Sequence, residues 1–186
     1  MTSKIKSIAI LGAGTMGAGI AALAAEKNCK VLLLDINIDA AKKGKDQIIN
    51  SENLPINDKN KASDIIIGDF NNDFHLIKNY DWICEVVIEK LSVKKEIFKK
   101  IEVFRSQDSI VSSNTSGIPL KDIAENLSID MQKNMCITHF FNPVKIMKLC
   151  EVIPGVHTSN STLFELKNFL SNKMNKGVVN AKDTVN

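Results

Sequence analysis

The sequence predicts an α/β fold: a doubly wound, mostly parallel sheet with helices on both faces. Three observations predict it. Short apolar runs alternate along the chain with longer segments of helical character. The first run, Ile8–Leu11, enters the glycine-rich turn Gly12-x-Gly14-x-x-Gly17, which opens a small-residue helix. A second run, Val31–Leu34, ends on Asp35, 23 residues after Gly12.

Taken in order, Lys6–Leu11 is the first strand, its apolar residues running unbroken into the glycine turn. Thr15–Lys27 follows as a helix of mainly small residues, and Lys30–Asp35 as the second strand. Ile38–Asn50 is the next helix. The polar stretch Asn50–Ser63 is expected to be an irregular, mobile surface excursion. Ile65–Gly68, Asp81–Val87 and Ser109–Ser113 supply three further strands. Between the last two lies a helix, Ser92–Phe104, with Ser92 as its N-cap and Val93, Ile97, Ile101 and Phe104 on one face. Pro119–Leu127 is expected to be a short helix, and Met135–Phe140 and Leu149–Ile153 two more strands. A helix near Ser161–Met174 and a strand near Gly177–Asn180 complete the pattern.

The bulk properties fit one domain. At 186 residues, 44% hydrophobic and 24% charged, the chain can bury a sizeable core. A net charge of +3, carried by dispersed lysines, is too small to argue for nucleic acid. The four cysteines, Cys29, Cys84, Cys136 and Cys150, form no CxxC pair, which points to buried, reduced thiols and away from a metal site. Ile8–Ala25 is free of charge for 18 residues and could pass for a signal or membrane segment, but its four glycines argue against a membrane helix. A cytoplasmic location is expected.

Each part of the first motif has a physical task in binding a dinucleotide on a Rossmann-type fold. Gly12 permits the tight turn, Gly14 leaves room for the pyrophosphate, and Gly17 allows close packing of helix on sheet. Thr15 and Met16 complete the loop, whose helix N-terminus offers free N–H groups to phosphate. Asp35 can accept hydrogen bonds from the adenosine ribose and would repel a 2′-phosphate, so the cofactor is expected to be NAD rather than NADP.

Two later clusters concentrate polar residues. Ser112-Ser113-Asn114-Thr115-Ser116-Gly117 follows the fifth strand, where ligands gather in open α/β sheets. The loop should border the nicotinamide end of the cofactor; a Ser- and Asn-rich strand-ending turn is the plain alternative. Thr138-His139-Phe140-Phe141-Asn142-Pro143 is followed, twelve residues after His139, by Glu151 inside an apolar strand. A carboxylate there needs a partner, and His139 on a neighbouring strand is the obvious one. Such a pair fixes the imidazole tautomer and orients a general base, although a purely structural pair has the same spacing.

With GAGTMGAGIA, Asp35, Glu89 with Lys94, SSNTSGIP, HFFNP and the Glu151 strand in this order, the chain resembles the NAD-binding domain of the L-3-hydroxyacyl-CoA dehydrogenase family over about Ile5 to Thr184. SNTSGIP and KGVVNAKDT are most similar to the longer bacterial, multidomain fatty-acid oxidation members. The resemblance implies NAD-dependent oxidation of the 3-hydroxyl of an acyl-CoA substrate. It implies His139 as base, Glu151 as its partner, and Ser116 and Asn142 as hydrogen-bonding groups to the C3 oxygen. Glu89 and Lys94 would meet the cofactor near the nicotinamide ribose, with Asn114 beside them.

The chain departs from the family at Lys90, where many members carry Asn, and at Val185, where a proline is expected. The excursion after the second strand is shorter than in two-domain members. The end at Asn186 has no stop signal of its own, so a helical domain that closes the cleft and builds a homodimer in many members is expected to be missing. A dehydrogenase is the leading reading. The alternatives are an NAD-binding module inactive in isolation and a Rossmann dehydrogenase for another small hydroxy acid.

Overall fold

A computed structural model describes residues 3–50, 56 and 58–183. Eight strands form one sheet in the order β3-β2-β1-β4-β5-β6-β7-β8. They are β1 (Ser7–Leu11), β2 (Lys30–Asp35), β3 (Ile66–Asp69), β4 (Trp82–Glu85), β5 (Ile110–Ser113), β6 (Met135–Phe140), β7 (Leu149–Pro154) and β8 (Gly177–Asn180). Every neighbouring pair is parallel except β6–β7. The first six strands therefore end along one edge, and the chain starts from the middle of the sheet and runs to each side in turn. That is the doubly wound arrangement expected.

Side chains alternate between two apolar layers, as strand geometry requires. Ile8, Ile10, Trp82, Cys84, Cys136, Cys150 and Val152 face one layer, where helix α1 (Thr15–Glu26) packs. Helices α2 (Ile38–Asn50) and α3 (Lys59–Ser63) follow β2, while Ala9, Leu11, Ile83, Val111 and Ile137 face the other layer, covered in part by α4 (Leu91–Phe104). All four cysteines are buried and free. Burial pushes the Cys84 and Cys150 thiols up to about 12.

Several boundaries differ from the sequence reading, each for a local reason. The α4 helix starts at Leu91, with Lys90 at the N-cap position and no side-chain cap, so Ser92 falls inside the first turn. Its buried face is Lys94, Ile97, Phe98 and Ile101, while Phe104 is partly exposed. The inward turn of Lys94 is matched by a buried ion pair with Glu85 at 2.7 Å. The segment from Pro119 to Leu127 holds only α5 (Leu120–Ile123), because Asn126 turns the backbone to φ 66°. Ser128 then caps a further short helix, α6 (Ile129–Lys133). A 3-10 turn over Phe74–Asn79 was not anticipated either. Within the excursion expected to be irregular, Asp58 caps a short helix over Lys59–Ser63; residues 51–55 and 57 lie outside the described set, as do Thr184, Val185 and Asn186. The last helix spans Asn160–Asn168 and continues as a π turn through Lys173.

The two sides of α4 should respond differently to truncation. Ile101→Ala, fully buried, should lower the unfolding free energy in urea by roughly 2–5 kcal/mol. Val103→Ala, 76% exposed on the same helix, should change it by no more than about 0.5 kcal/mol.

Candidate active site

The glycine turn is built from two contacts that leave no room and one position that leaves plenty. Gly12 has φ +115°, and a Cβ there would lie 2.5 Å from the Val86 carbonyl oxygen. A Cβ on Gly17 would lie 1.8 Å from the Gly12 carbonyl oxygen, so the helix sits directly on the turn. A Cβ on Gly14 would meet nothing within 4 Å. Gly14 caps α1 without a side-chain cap bond, and it borders a cavity of about 500 Å³. Open space at a helix N-terminus suits a pyrophosphate.

Asp35 ends β2 with one carboxylate oxygen accepting from Ala13 N–H at 2.6 Å and the other from Ile36 N–H at 2.6 Å. The carboxylate thus braces the glycine loop from the end of β2.

The same cavity is lined by Thr15, Met16, Glu89, Asn114, Ser116, His139 and Asn142, together with Val86–Ile88, Phe140 and Phe141. Residues spread over more than a hundred positions of sequence meet there because β1, β4, β5 and β6 all end on this edge. Asn114 links two of these strands: its Oδ1 accepts from Phe140 N–H at 2.9 Å, while its own N–H donates to the Glu85 carbonyl at 2.8 Å.

His139 and Glu151 sit directly opposite each other in the antiparallel β6–β7 ladder. His139 Nδ1 lies 2.9 Å from Glu151 Oε2, and both side chains are partly exposed. The Phe141 ring stands 4.5 Å from the imidazole, centre to centre. With Nδ1 donating to the carboxylate, Nε2 is left as the proton-accepting nitrogen.

Lys94 is placed differently from a surface contact. It is 1% exposed, and its Nζ bonds Glu85 Oε1 at 2.7 Å and Glu89 Oε2 at 3.2 Å. Glu89 lines the cavity, and Lys94 stands behind it. The other Glu89 oxygen, Oε1, accepts from the Thr115 hydroxyl and from the Ser116 and Gly117 N–H groups. Partial burial works to raise the Glu89 carboxyl, but the Thr115 hydrogen bond and Lys94 outweigh it and hold the group below the ordinary carboxylate range.

Two residues of this constellation escaped the sequence reading. Glu85 is fully buried at the end of β4, and Thr115 is buried beneath the Ser116 loop. Glu85 carried the signal that exposed Glu151: a lone carboxylate in an apolar strand, Trp82-Ile83-Cys84-Glu85-Val86-Val87. Ser112 and Ser113, in contrast, are internal. Ser112 Oγ accepts from the Trp82 indole at 2.9 Å and pairs with Thr138 Oγ1 at 2.8 Å, and Ser113 Oγ donates to Glu85.

The sequence pattern of the 3-hydroxyacyl-CoA dehydrogenase NAD binding domain matches residues 7–184. The chain belongs to this family. NAD is the cofactor of the domain, and the open space at Gly14 fits it. A probable 3-hydroxyacyl-CoA dehydrogenase of Bacillus subtilis is 40% identical over 207 residues, covering 100% of this chain and 26% of the relative. A putative fatty acid oxidation complex trifunctional enzyme of Rickettsia felis is 35% identical over 191 residues, covering 99% and 26%. The chain thus spans about a quarter of the length of these two relatives. The crystal structure of (S)-3-hydroxybutyryl-CoA dehydrogenase from Ralstonia eutropha superposes with a TM-score of 0.83 at 32% identity, over 97% of this chain and 65% of that one. Among the described residues no helix is long and apolar enough to cross a membrane, and no His, Cys, Asp and Glu cluster could hold a metal ion.

Because Gly14 faces open space, its substitution separates binding from folding. Gly14→Val should leave the melting temperature within about 2 °C of the parent. It should abolish NAD binding in a calorimetric titration, since the side chain takes the pyrophosphate's place. Asp35→Ala should weaken NAD and narrow the preference over NADP; equal affinity of the unaltered protein for both cofactors would count against the role given to Asp35.

Proposed function

We propose that this chain oxidises the 3-hydroxyl of an L-3-hydroxyacyl-CoA to the 3-keto product, in fatty-acid oxidation or a butyrate-type pathway of the cytoplasm. The observation that carries the reading is the 2.9 Å His139–Glu151 pair at the cavity that also holds the glycine turn. NAD, when bound, supplies the hydride acceptor. His139 Nε2 takes the hydroxyl proton, while Nδ1 donates to Glu151, whose charge stabilises the imidazolium that forms. Phe141 against the imidazole limits ring rotation. Ser116 and Asn142 donate hydrogen bonds to the C3 oxygen and steady its developing negative charge without competing for the proton. Thr15, Met16 and Asn114 flank the cofactor, and Glu89 meets the nicotinamide ribose with Lys94 fixing it from behind.

On the sheet face that carries His139 and Glu151, Leu149 and Val179 are 36% and 50% exposed, next to exposed Ile146 and Met147. An apolar strip beside a catalytic pair is a poor surface to leave in water. It supports the expectation that a helical domain covers this face, closes the acyl-CoA site and provides a dimer contact. A module that binds NAD without turnover remains the competing reading, and the same strip favours it for this chain alone.

Oxidation of NADH in the presence of acetoacetyl-CoA tests the proposal, measured on this chain and on one carrying a helical domain. In the active form His139→Gln should lower kcat by roughly 10²–10⁴-fold while NAD affinity stays within twofold, the usual worth of a positioned base. Glu151→Gln should lower kcat as well, because an amide can orient the ring but carries no charge. Near-normal turnover by His139→Gln would make the pair structural.

A further inference from the structure

We propose that Glu85 and Thr115, both buried behind the lining of the cavity, are positioning residues that fix Ser116 at the substrate oxygen. This rests on the reading of Ser116 given above. One carboxylate oxygen holds the Ser116 loop. Its backbone N–H groups at Ser116 and Gly117 donate to one oxygen, Glu89 Oε1, at 3.0 and 3.3 Å. The buried Thr115 hydroxyl donates to the same oxygen and accepts from Ile118 N–H at 3.0 Å, closing the turn on itself. Three donors from three consecutive residues thus converge on a single carboxylate atom. The loop's shape is set by where that atom lies.

The position of Glu89 is set in turn from below. Its second oxygen is held by Lys94 Nζ at 3.2 Å, and Lys94 has a second, closer partner in Glu85 at 2.7 Å. Glu85 is immobilised by three donors: Lys94, the Val87 N–H at 2.8 Å and the Ser113 hydroxyl at 2.5 Å. A continuous polar chain therefore runs from the ends of β4 and β5 to the Ser116 backbone. Its inner members are out of water, where each bond is stronger and less tolerant of displacement than at a surface. Glu89 is the only partly exposed member of the chain Glu85–Lys94–Glu89–Thr115. Whatever meets Glu89 at the cavity is thereby mechanically joined to the loop bearing Ser116.

Thr115→Val keeps the shape and removes the hydroxyl, and Thr115→Ser restores it. In the unaltered chain, acetoacetyl-CoA affinity is measured with NAD present, a pair that cannot react with each other. Thr115→Val should weaken that affinity about tenfold, the scale of one hydrogen bond to a charged group, and leave NAD affinity within about twofold. Thr115→Ser should recover it. In a Ser116→Ala background the Thr115→Val effect should vanish, because the residue being positioned is gone. Amide hydrogen exchange gives a second readout that needs no substrate: Thr115→Val and Glu85→Gln should each speed exchange at Ser116 and Gly117 while strand amides of β1 and β2 stay protected. Full additivity of the two substitutions, or unchanged exchange at Ser116 and Gly117, would overturn the proposal. If Ser116→Ala alone binds acetoacetyl-CoA normally, the role of Ser116 fails, and the exchange measurement still decides whether the relay holds the loop.

Discussion

Taking the carboxylate of Glu85 out of water is expensive, and the active edge of the sheet is arranged around that cost. A lone buried charge loses several kcal/mol of hydration. Here the loss is offset by an ammonium, a hydroxyl and a backbone N–H, each delivered by a different element. Burial raises the Glu85 carboxyl even so, against the opposing pull of Lys94. To bring Lys94 within reach, α4 has to begin at Leu91 and turn its fourth residue inward. The turn between β4 and α4 carries Glu89 out to the cavity, where Lys94 holds it from behind.

The other half of the site rests on a reversal of strand direction. In the antiparallel β6–β7 pair, residues directly opposite share a face and stand close. His139 and Glu151 occupy such a position. A slip of one residue would send one of them to the opposite face. The buried neighbours Thr138, Phe140, Cys150 and Val152 resist that slip, because each would have to trade an apolar layer for the exposed face. Buried Lys176 adds a second restraint: its Nζ bonds the Val144 and Met147 carbonyls and stands over the Phe140 ring, 5.6 Å from its centre. The loop that follows Asn142 is tied to the edge of β8 in this way.

Much of this was legible from residues alone. The glycine turn, Asp35 and the His139–Glu151 spacing are sequence signals because each depends on local backbone geometry or on a rule about isolated charges. Strand positions were read closely for the same reason, since apolar runs mark them directly. The Glu85–Lys94 pair was missed although Glu85 breaks an apolar run as plainly as Glu151 does. The obstacle was Lys94, which looks like one more solvated lysine on an amphipathic helix; nothing in a linear pattern says that its ammonium turns inward. Thr115 was hidden by its company, as a run of Ser, Asn and Thr does not reveal which hydroxyls are structural and which face a ligand. Short helices such as Ile129–Lys133 carry too few turns for periodicity to show.

The four buried cysteines have a use that lies outside catalysis. With Cys84 and Cys150 shifted to about 12 and all four thiols enclosed, almost no thiolate is available to an alkylating reagent at neutral pH. Every modification event therefore reports an opening of the fold. Since Cys84 lies in the central strand β4 and Cys29 just before β2, the order in which they become labelled would rank the opening of the sheet's interior against that of its first βα unit. The molecule carries its own set of internal clocks for local unfolding, with no probe needing to be added.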